Sequence, residues 1–381
     1  MRKKIISASL VAVTLALSVP AMALDVTPYG AIRVGTWYTS STYNNPTTGA
    51  SLHDSDFSLD IQGDSLIGMR VKEGDYSGVA ELGAYNPKAR SAGVELRLLF
   101  GEWNFGEGKL RVGYAPSPYV FRSEQTYDSD GGFNGYGSLW DGRYAQVKAS
   151  LNNGLYVTLM KSATSITAGA ANSTSNAGPA WANTAFNNTA TTYAATNTDY
   201  DTYMPKTIVG YEGKAGIVDY GGGAAVNYYK KTVTTANVGV EEEVSSYLFF
   251  AHAKIDLAPV ELKFNAYGGQ NVGNLMSNAA ATAGSFRTNN KNAHTYGGFG
   301  QVGYKLNDKL KAFAGASYEA SECDANAYTD DKMAAFVNVQ YAVTKNFKVV
   351  PEFTYLNDLS STTGAKEPKI YAAGVKWEMI F

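Results

Sequence analysis

Apolar and polar residues alternate one for one along much of this chain. Its last segment shows the pattern plainly: Tyr371, Ala373, Val375, Trp377, Met379 and Phe381 share one parity, and Ala372, Gly374, Lys376 and Glu378 share the other. The same two faces recur in Val260, Leu262, Phe264 and Ala266 against Glu261, Lys263, Asn265 and Tyr267, and in Ala335, Val337, Val339 and Tyr341 against Phe336, Asn338 and Gln340. A period of two marks β-strands whose faces meet different surroundings. Reading such segments between turn signals predicts sixteen strands, over 26–42, 56–72, 77–85, 94–105, 109–114, 142–150, 155–161, 205–213, 217–230, 244–256, 260–268, 293–305, 310–318, 331–343, 347–356 and 368–381. Gly63-Asp64-Ser65 has a turn-like composition, but Phe57, Leu59, Ile61, Ile67, Met69 and Val71 keep one parity across it. The segment 56–72 therefore reads as one continuous strand.

Alternation alone fits a soluble sandwich as well as a membrane barrel, and connection lengths separate the two. Short connections at 73–76, 106–108, 151–154, 214–216, 256–259, 306–309 and 344–346 alternate without exception with longer ones, of which 162–204 is the longest. Tight turns at one end and long loops at the other are the layout of a membrane barrel. The expected fold class is all-β: a transmembrane antiparallel up-and-down β-barrel of 16 strands, with long extracellular loops and short periplasmic turns. At that strand number side chains cannot fill the interior, so water occupies it and the barrel becomes a channel.

Composition supports this layout. Arg2, Lys3 and Lys4, an apolar run over 5–19 and the small-residue site Ala21-Met22-Ala23 read as an export signal over 1–23, leaving 24–381 as the barrel domain. No run of 18 apolar residues follows, so helical spans are excluded. A single cysteine, Cys323, in a predicted extracellular loop, rules out an intramolecular disulfide. The net charge of −2 becomes more acidic once the basic leader is removed, which argues against a nucleic-acid partner.

Several stretches imitate catalytic or binding motifs. Gly63-Asp64-Ser65-Leu66 spells the block that opens one family of serine esterases, but its serine sits in a predicted strand and no acid stands three positions before His294, the last histidine. Gly298-Phe299-Gly300-Gln301-Val302-Gly303 has dinucleotide spacing without the strand-to-helix context that motif requires. His53, His252 and His294 are too scattered for a local metal site, and Asp128-Ser129-Asp130-Gly131 lacks the closing glutamate of a calcium loop. No cofactor and no metal are expected. Tyr247, Phe249, Trp377 and Phe381 lie on the apolar parity and are candidates for interfacial aromatic girdles.

Val26-Thr27-Pro28-Tyr29-Gly30, Ser65-Leu66-Ile67-Gly68-Met69-Arg70, the turn Asn104-Phe105-Gly106-Glu107-Gly108-Lys109 with Leu110-Arg111-Val112-Gly113, and the terminal Phe381 carry a family resemblance. In these residues the chain resembles the general diffusion porins of Gram-negative outer membranes, a sixteen-stranded trimeric family. Leu66 and Tyr114 stand where that family often has arginine. The resemblance implies an outer-membrane homotrimer, embedded in lipid and lipopolysaccharide, that passes ions and small hydrophilic solutes and has no enzymatic activity. It also implies that the third long connection, 115–141, folds into the lumen with its acids facing basic residues on the wall. Glu124, Asp128, Asp130 and Asp141 supply the acids here, and inward parity supplies Arg33, Arg70, Arg97 and Arg111. These eight are the expected eyelet, whose transverse field would orient polar solutes and set ion preference. A substrate-selective channel and a surface adhesin acting through loops such as 162–204 are the competing readings.

Overall fold

The computed structural model describes residues 24–44, 51–85, 93–127, 131–162, 197–235, 238–276 and 283–381. The expected export signal, 1–23, lies outside the described residues. Eighteen strands run in chain order: β1 (Asp25–Asn44), β2 (Ser51–Ile61), β3 (Leu66–Glu73), β4 (Tyr76–Tyr85), β5 (Gly93–Asn104), β6 (Gly108–Pro116), β7 (Arg143–Leu151), β8 (Leu155–Met160) and β9 (Asn197–Asp201). They continue with β10 (Lys206–Ala215), β11 (Val218–Thr235), β12 (Val238–Leu257), β13 (Val260–Gln270), β14 (Ala293–Lys305), β15 (Leu310–Cys323), β16 (Asp330–Ala342), β17 (Phe347–Ser360) and β18 (Lys369–Ile380). Sixteen of them close an antiparallel ring, while β2 continues the line of β3 along β1, and β9 continues that of β10 along β11.

Ring closure joins the chain ends. β1 and β18 pair from Ala31 opposite Ile380 to Thr42 opposite Lys369. Beyond the strand, Gly30 and Phe381 exchange both backbone hydrogen bonds, at 2.8 and 3.0 Å. A side chain at position 30 would collide with the Phe381 ring, since an added Cβ would lie 2.5 Å from it. The Tyr29-Gly30 pair and the terminal aromatic are thus two halves of one seam.

The alternation resolves into two environments. In β8, Leu155, Val157 and Leu159 are each exposed by nearly half, while Tyr156, Thr158 and Met160 are buried. In β17 the apolar Phe353 faces out and Glu352 and Thr354 are buried; in β16 Val337 faces out and Asn338 is buried. The exposed residues are the greasy ones, which is the reverse of a water-soluble sheet and suits hydrocarbon. Within the closed ring each strand pairs on both sides, so no edge is left there, whereas among the described residues β2 and β9 pair on one side only, with β1 and β11. Ring pairs Tyr76–Trp103, Trp103–Phe105 and Phe347–Trp377 cluster by the short turns, and Tyr247, Phe249, Trp377 and Phe381 all face outward.

Four expectations need correction. The strand expected over 56–72 breaks at Gln62, Gly63, Asp64 and Ser65: Ala31 pairs with Leu66 and Val34 with Ile61, so four residues oppose only Ile32 and Arg33. The surplus is two residues, an even number, and the parity of the alternation survives it. The loop expected over 231–243 is strand instead, with only 236–237 between β11 and β12. Its charges hid it, because they face one another across the hairpin: Lys231 pairs with Glu242 at 3.0 Å, and Lys230 with Glu241. Within the loop expected over 162–204, β9 pairs with β11, and most of the remainder lies outside the described residues. Cys323 ends β15 in a buried position, its thiol 3.7 Å from the Lys291 carbonyl.

Candidate functional site

In the connection from β6 to β7, the described residues 117–127 and 131–142 turn into the barrel and lie along its inner wall. Glycine makes the reversal possible: Gly132, Gly135, Gly137 and Gly142 have φ of 73, 74, 117 and 93°. At Gly137 an added Cβ would lie 2.5 Å from the Gly298 carbonyl, so the loop backbone touches the wall there. The Gly298 to Gly303 stretch is strand, as expected, and its first glycine serves this contact from within the barrel.

Three anchors hold the loop. At its base, the Asp141 carboxylate accepts from Ser117, from Tyr119 and from Lys206 Nζ at 2.5 Å, with neither side chain of the Asp141–Lys206 pair exposed. Burial, reinforced by the Asp141 charge, raises the Tyr119 hydroxyl well above its usual range, so it remains a donor. Midway, Gln301 accepts from the Glu124 amide at 2.7 Å and Asn338 donates to the Glu124 carbonyl at 2.7 Å. At the tip, buried Glu352 accepts from the backbone amides of Thr126 and Tyr127 at 2.7 and 2.8 Å, and Tyr127 packs edge-on against Trp37 of β1.

A second connection also folds in. Asn271, with φ of 51°, bends the chain after β13 into the short helix α1 (Val272–Leu275). Val272, Leu275 and Met276 meet Tyr119 and Leu139 of the first loop over Ile208, Leu248 and Phe250 of the wall. Phe133 of the first loop closes a separate apolar cluster with Phe299, Phe313 and Phe336. Apolar packing therefore covers parts of the inner wall along β8 to β18, between inward charges such as Lys263, Glu352 and Lys376. The inner face of β3 to β7 also carries charge: Glu81, Arg97, Glu102, Arg111 and Lys148.

The expected eyelet residues divide into distinct environments. Arg33 ion-pairs with Glu378 at 3.0 Å and Asp64 at 3.3 Å. Arg97 is the extra residue of a bulge in β5 and binds Glu81 at 2.9 Å. Arg111 faces Glu102 directly across the ladder, 3.0 Å away, and lies over the Phe100 ring. Arg70 is exposed toward the lumen, 4.2 Å from the centre of the Tyr29 ring. Glu124 is more than a third exposed, with Lys263 3.6 Å and Gln340 3.2 Å away. Asp141 departs from the expectation of an acid exposed at the eyelet, because it is buried in the loop's base. Asp128 and Asp130 lie outside the described residues.

Sequence reasoning missed Glu352, Lys206 and Glu81. Each sits on the lumen face of its strand, so parity could have flagged them, but parity does not say which inward residue meets a loop. Among the described residues no group of three His, Cys, Asp or Glu side chains could hold a metal. His252 lies 3.1 Å from Glu212 and stacks on Phe121 of the infolded loop.

No family model and no curated protein sequence matches the chain. Solved structures match it in shape. OmpT, an outer membrane protein of Vibrio cholerae in its trimer form, gives a TM-score of 0.56 at 14% identity, covering 94% of this chain and 100% of that one. The anion-selective porin of Comamonas acidovorans gives 0.55 at 12% identity, with 94% and 100% covered. Salmonella typhi OmpF in complex with daunomycin gives 0.50 at 12% identity, with 93% and 97% covered. At such identities the likeness speaks to architecture, and it agrees with the closed ring: the chain has the fold of the sixteen-strand general porins.

Proposed function

We propose that this chain is an outer-membrane porin, a water-filled channel for passive diffusion of ions and small hydrophilic solutes. One observation carries the reading: the barrel turns apolar side chains outward and sets charged side chains, Arg70, Glu102, Arg111 and Lys148, on its inner wall. A lumen lined this way stays wet, and charged rims set which ions enter. Arg70, Arg111, Glu124, Asp128 and Asp130 form the rim in this reading. Arg33, Arg97 and Asp141 fix the wall and the loop behind it.

The channel works as a homotrimer in lipid and lipopolysaccharide, a state suggested by the trimer form of the Vibrio cholerae protein. No catalysis is assigned. Ser65, the one serine in an esterase-like block, has its hydroxyl bonded to both the amide and the carbonyl of Arg33, at 2.9 and 3.0 Å. Purified protein added to a planar lipid bilayer is expected to give stepwise ohmic conductance in grouped steps of three. A bilayer that remains silent with correctly folded protein refutes the proposal.

A further inference from the structure

The break between β2 and β3 is a built feature of the lumen. Gln62, Gly63, Asp64 and Ser65 form a tight turn, closed by the Ser65 amide on the Gln62 carbonyl at 2.9 Å. The turn points inward, where cations from three strands grip it. Arg97 of β5 donates to the Gly63 carbonyl at 2.7 Å, Arg33 of β1 donates to the Asp64 carbonyl, and Lys376 of β18 reaches the Asp64 carboxylate at 3.1 Å. Gln62 Nε2 completes the arrangement by donating to the Thr126 carbonyl of the infolded loop at 3.2 Å. The wall is shaped to allow this. Arg97 is itself the bulged residue of β5, and it crosses Gly83 of β4 so closely that an added Cβ there would lie 2.1 Å from its Cδ.

We propose that 62–65 is a second constriction element. It is a fixed step on the wall that meets the tip of the infolded loop, so the passage is narrowed by wall and loop together. The inference rests on the channel reading above. Within it, Asp64 and Lys376 determine the charge met by a solute at this step, while Arg33 and Arg97 position the turn without lining the passage.

The two-residue surplus supplies a clean test. Deleting Gly63 and Asp64 lets the strand pair continuously with β1, and because the number removed is even, every other side chain keeps its face. Single-channel conductance in planar bilayers is expected to rise roughly 1.5- to 2-fold as the narrow section widens, with a larger size limit for sugars in liposome swelling. A second variant guards against misfolding of the deletion: Asp64→Cys in a Cys323→Ala background, treated with a small water-soluble methanethiosulfonate. Modification is expected to lower the current of folded, conducting channels. Unchanged conductance in the deletion, or an Asp64→Cys current indifferent to the reagent, overturns the step while the channel reading stands. A wild-type protein that does not conduct overturns both.

Discussion

Replacing Lys206 with methionine should free the infolded loop without opening the barrel. Lys206 and Asp141 have side chains with no solvent exposure, and the ammonium also lies near the Leu275 carbonyl at 3.4 Å and over the Tyr144 ring at 4.8 Å. Methionine fills the space but leaves the carboxylate with only the Ser117 and Tyr119 hydroxyls. Removing one partner of a buried ion pair costs about 3–5 kcal/mol. At about 1.4 kcal/mol per factor of ten, the loop-opening equilibrium shifts by roughly a hundredfold to a few thousandfold. The strand ladder does not depend on the ammonium group, so the effect stays local. Hydrogen–deuterium exchange followed by mass spectrometry reads it directly, because loop amides such as Gly132 on the Gln125 carbonyl, at 2.8 Å, are protected only while the loop is seated. Faster exchange over 117–141 with β6 and β7 unchanged is the expected result. The double variant Lys206→Met with Asp141→Leu should recover most of the protection, since an apolar pair replaces the ionic one. Loop exchange within threefold of wild type in Lys206→Met would refute the anchoring argument.

Three further outcomes follow from the same geometry. Glu352→Ala strands the amides of Thr126 and Tyr127, and at about 1–3 kcal/mol for each buried donor left unmade the loop tip should detach, seen as flickering current in single channels; steady current would count against the anchor. Charge neutralisation by Asp128→Asn with Asp130→Asn should shift the zero-current potential in a salt gradient toward anion preference, and an unchanged potential removes these acids from the rim. In the loop between β17 and β18, burial first and then Asp358, Asp330 and Asp331 push the Glu367 carboxyl up to about 7, against the pull of Lys332. The folded loop thus binds the proton more tightly than an open one does. Its stability is greatest below the ordinary glutamate range and falls as pH rises toward 7. Proteolysis of 361–368 should therefore be faster at pH 8 than at pH 5, and Glu367→Gln should abolish that difference; equal rates in wild type would contradict the assignment.

Much of this protein was legible from its residues alone. Period-two alternation depends only on which side chains meet hydrocarbon and which meet the lumen, so the sixteen strands of the ring, the barrel class and the lumen parity of Arg33, Arg70 and Arg111 could be read from the residues. The seam between Gly30 and Phe381 left its trace as a glycine beside an aromatic and an aromatic terminus. Tertiary structure alone decided what those parities could not encode. An even surplus of residues leaves alternation intact, so unbroken parity outweighed the turn-like composition of Gly63-Asp64-Ser65 and hid the inward turn at 62–65. Hydrogen bonds between a loop and a distant strand, such as Thr126 and Tyr127 to Glu352, follow from closure of the ring and not from any local pattern. Asp141 carries the same charge in the sequence whether it faces water or lies buried against Lys206; only the packing of Tyr119, Leu275 and the wall around it determines which.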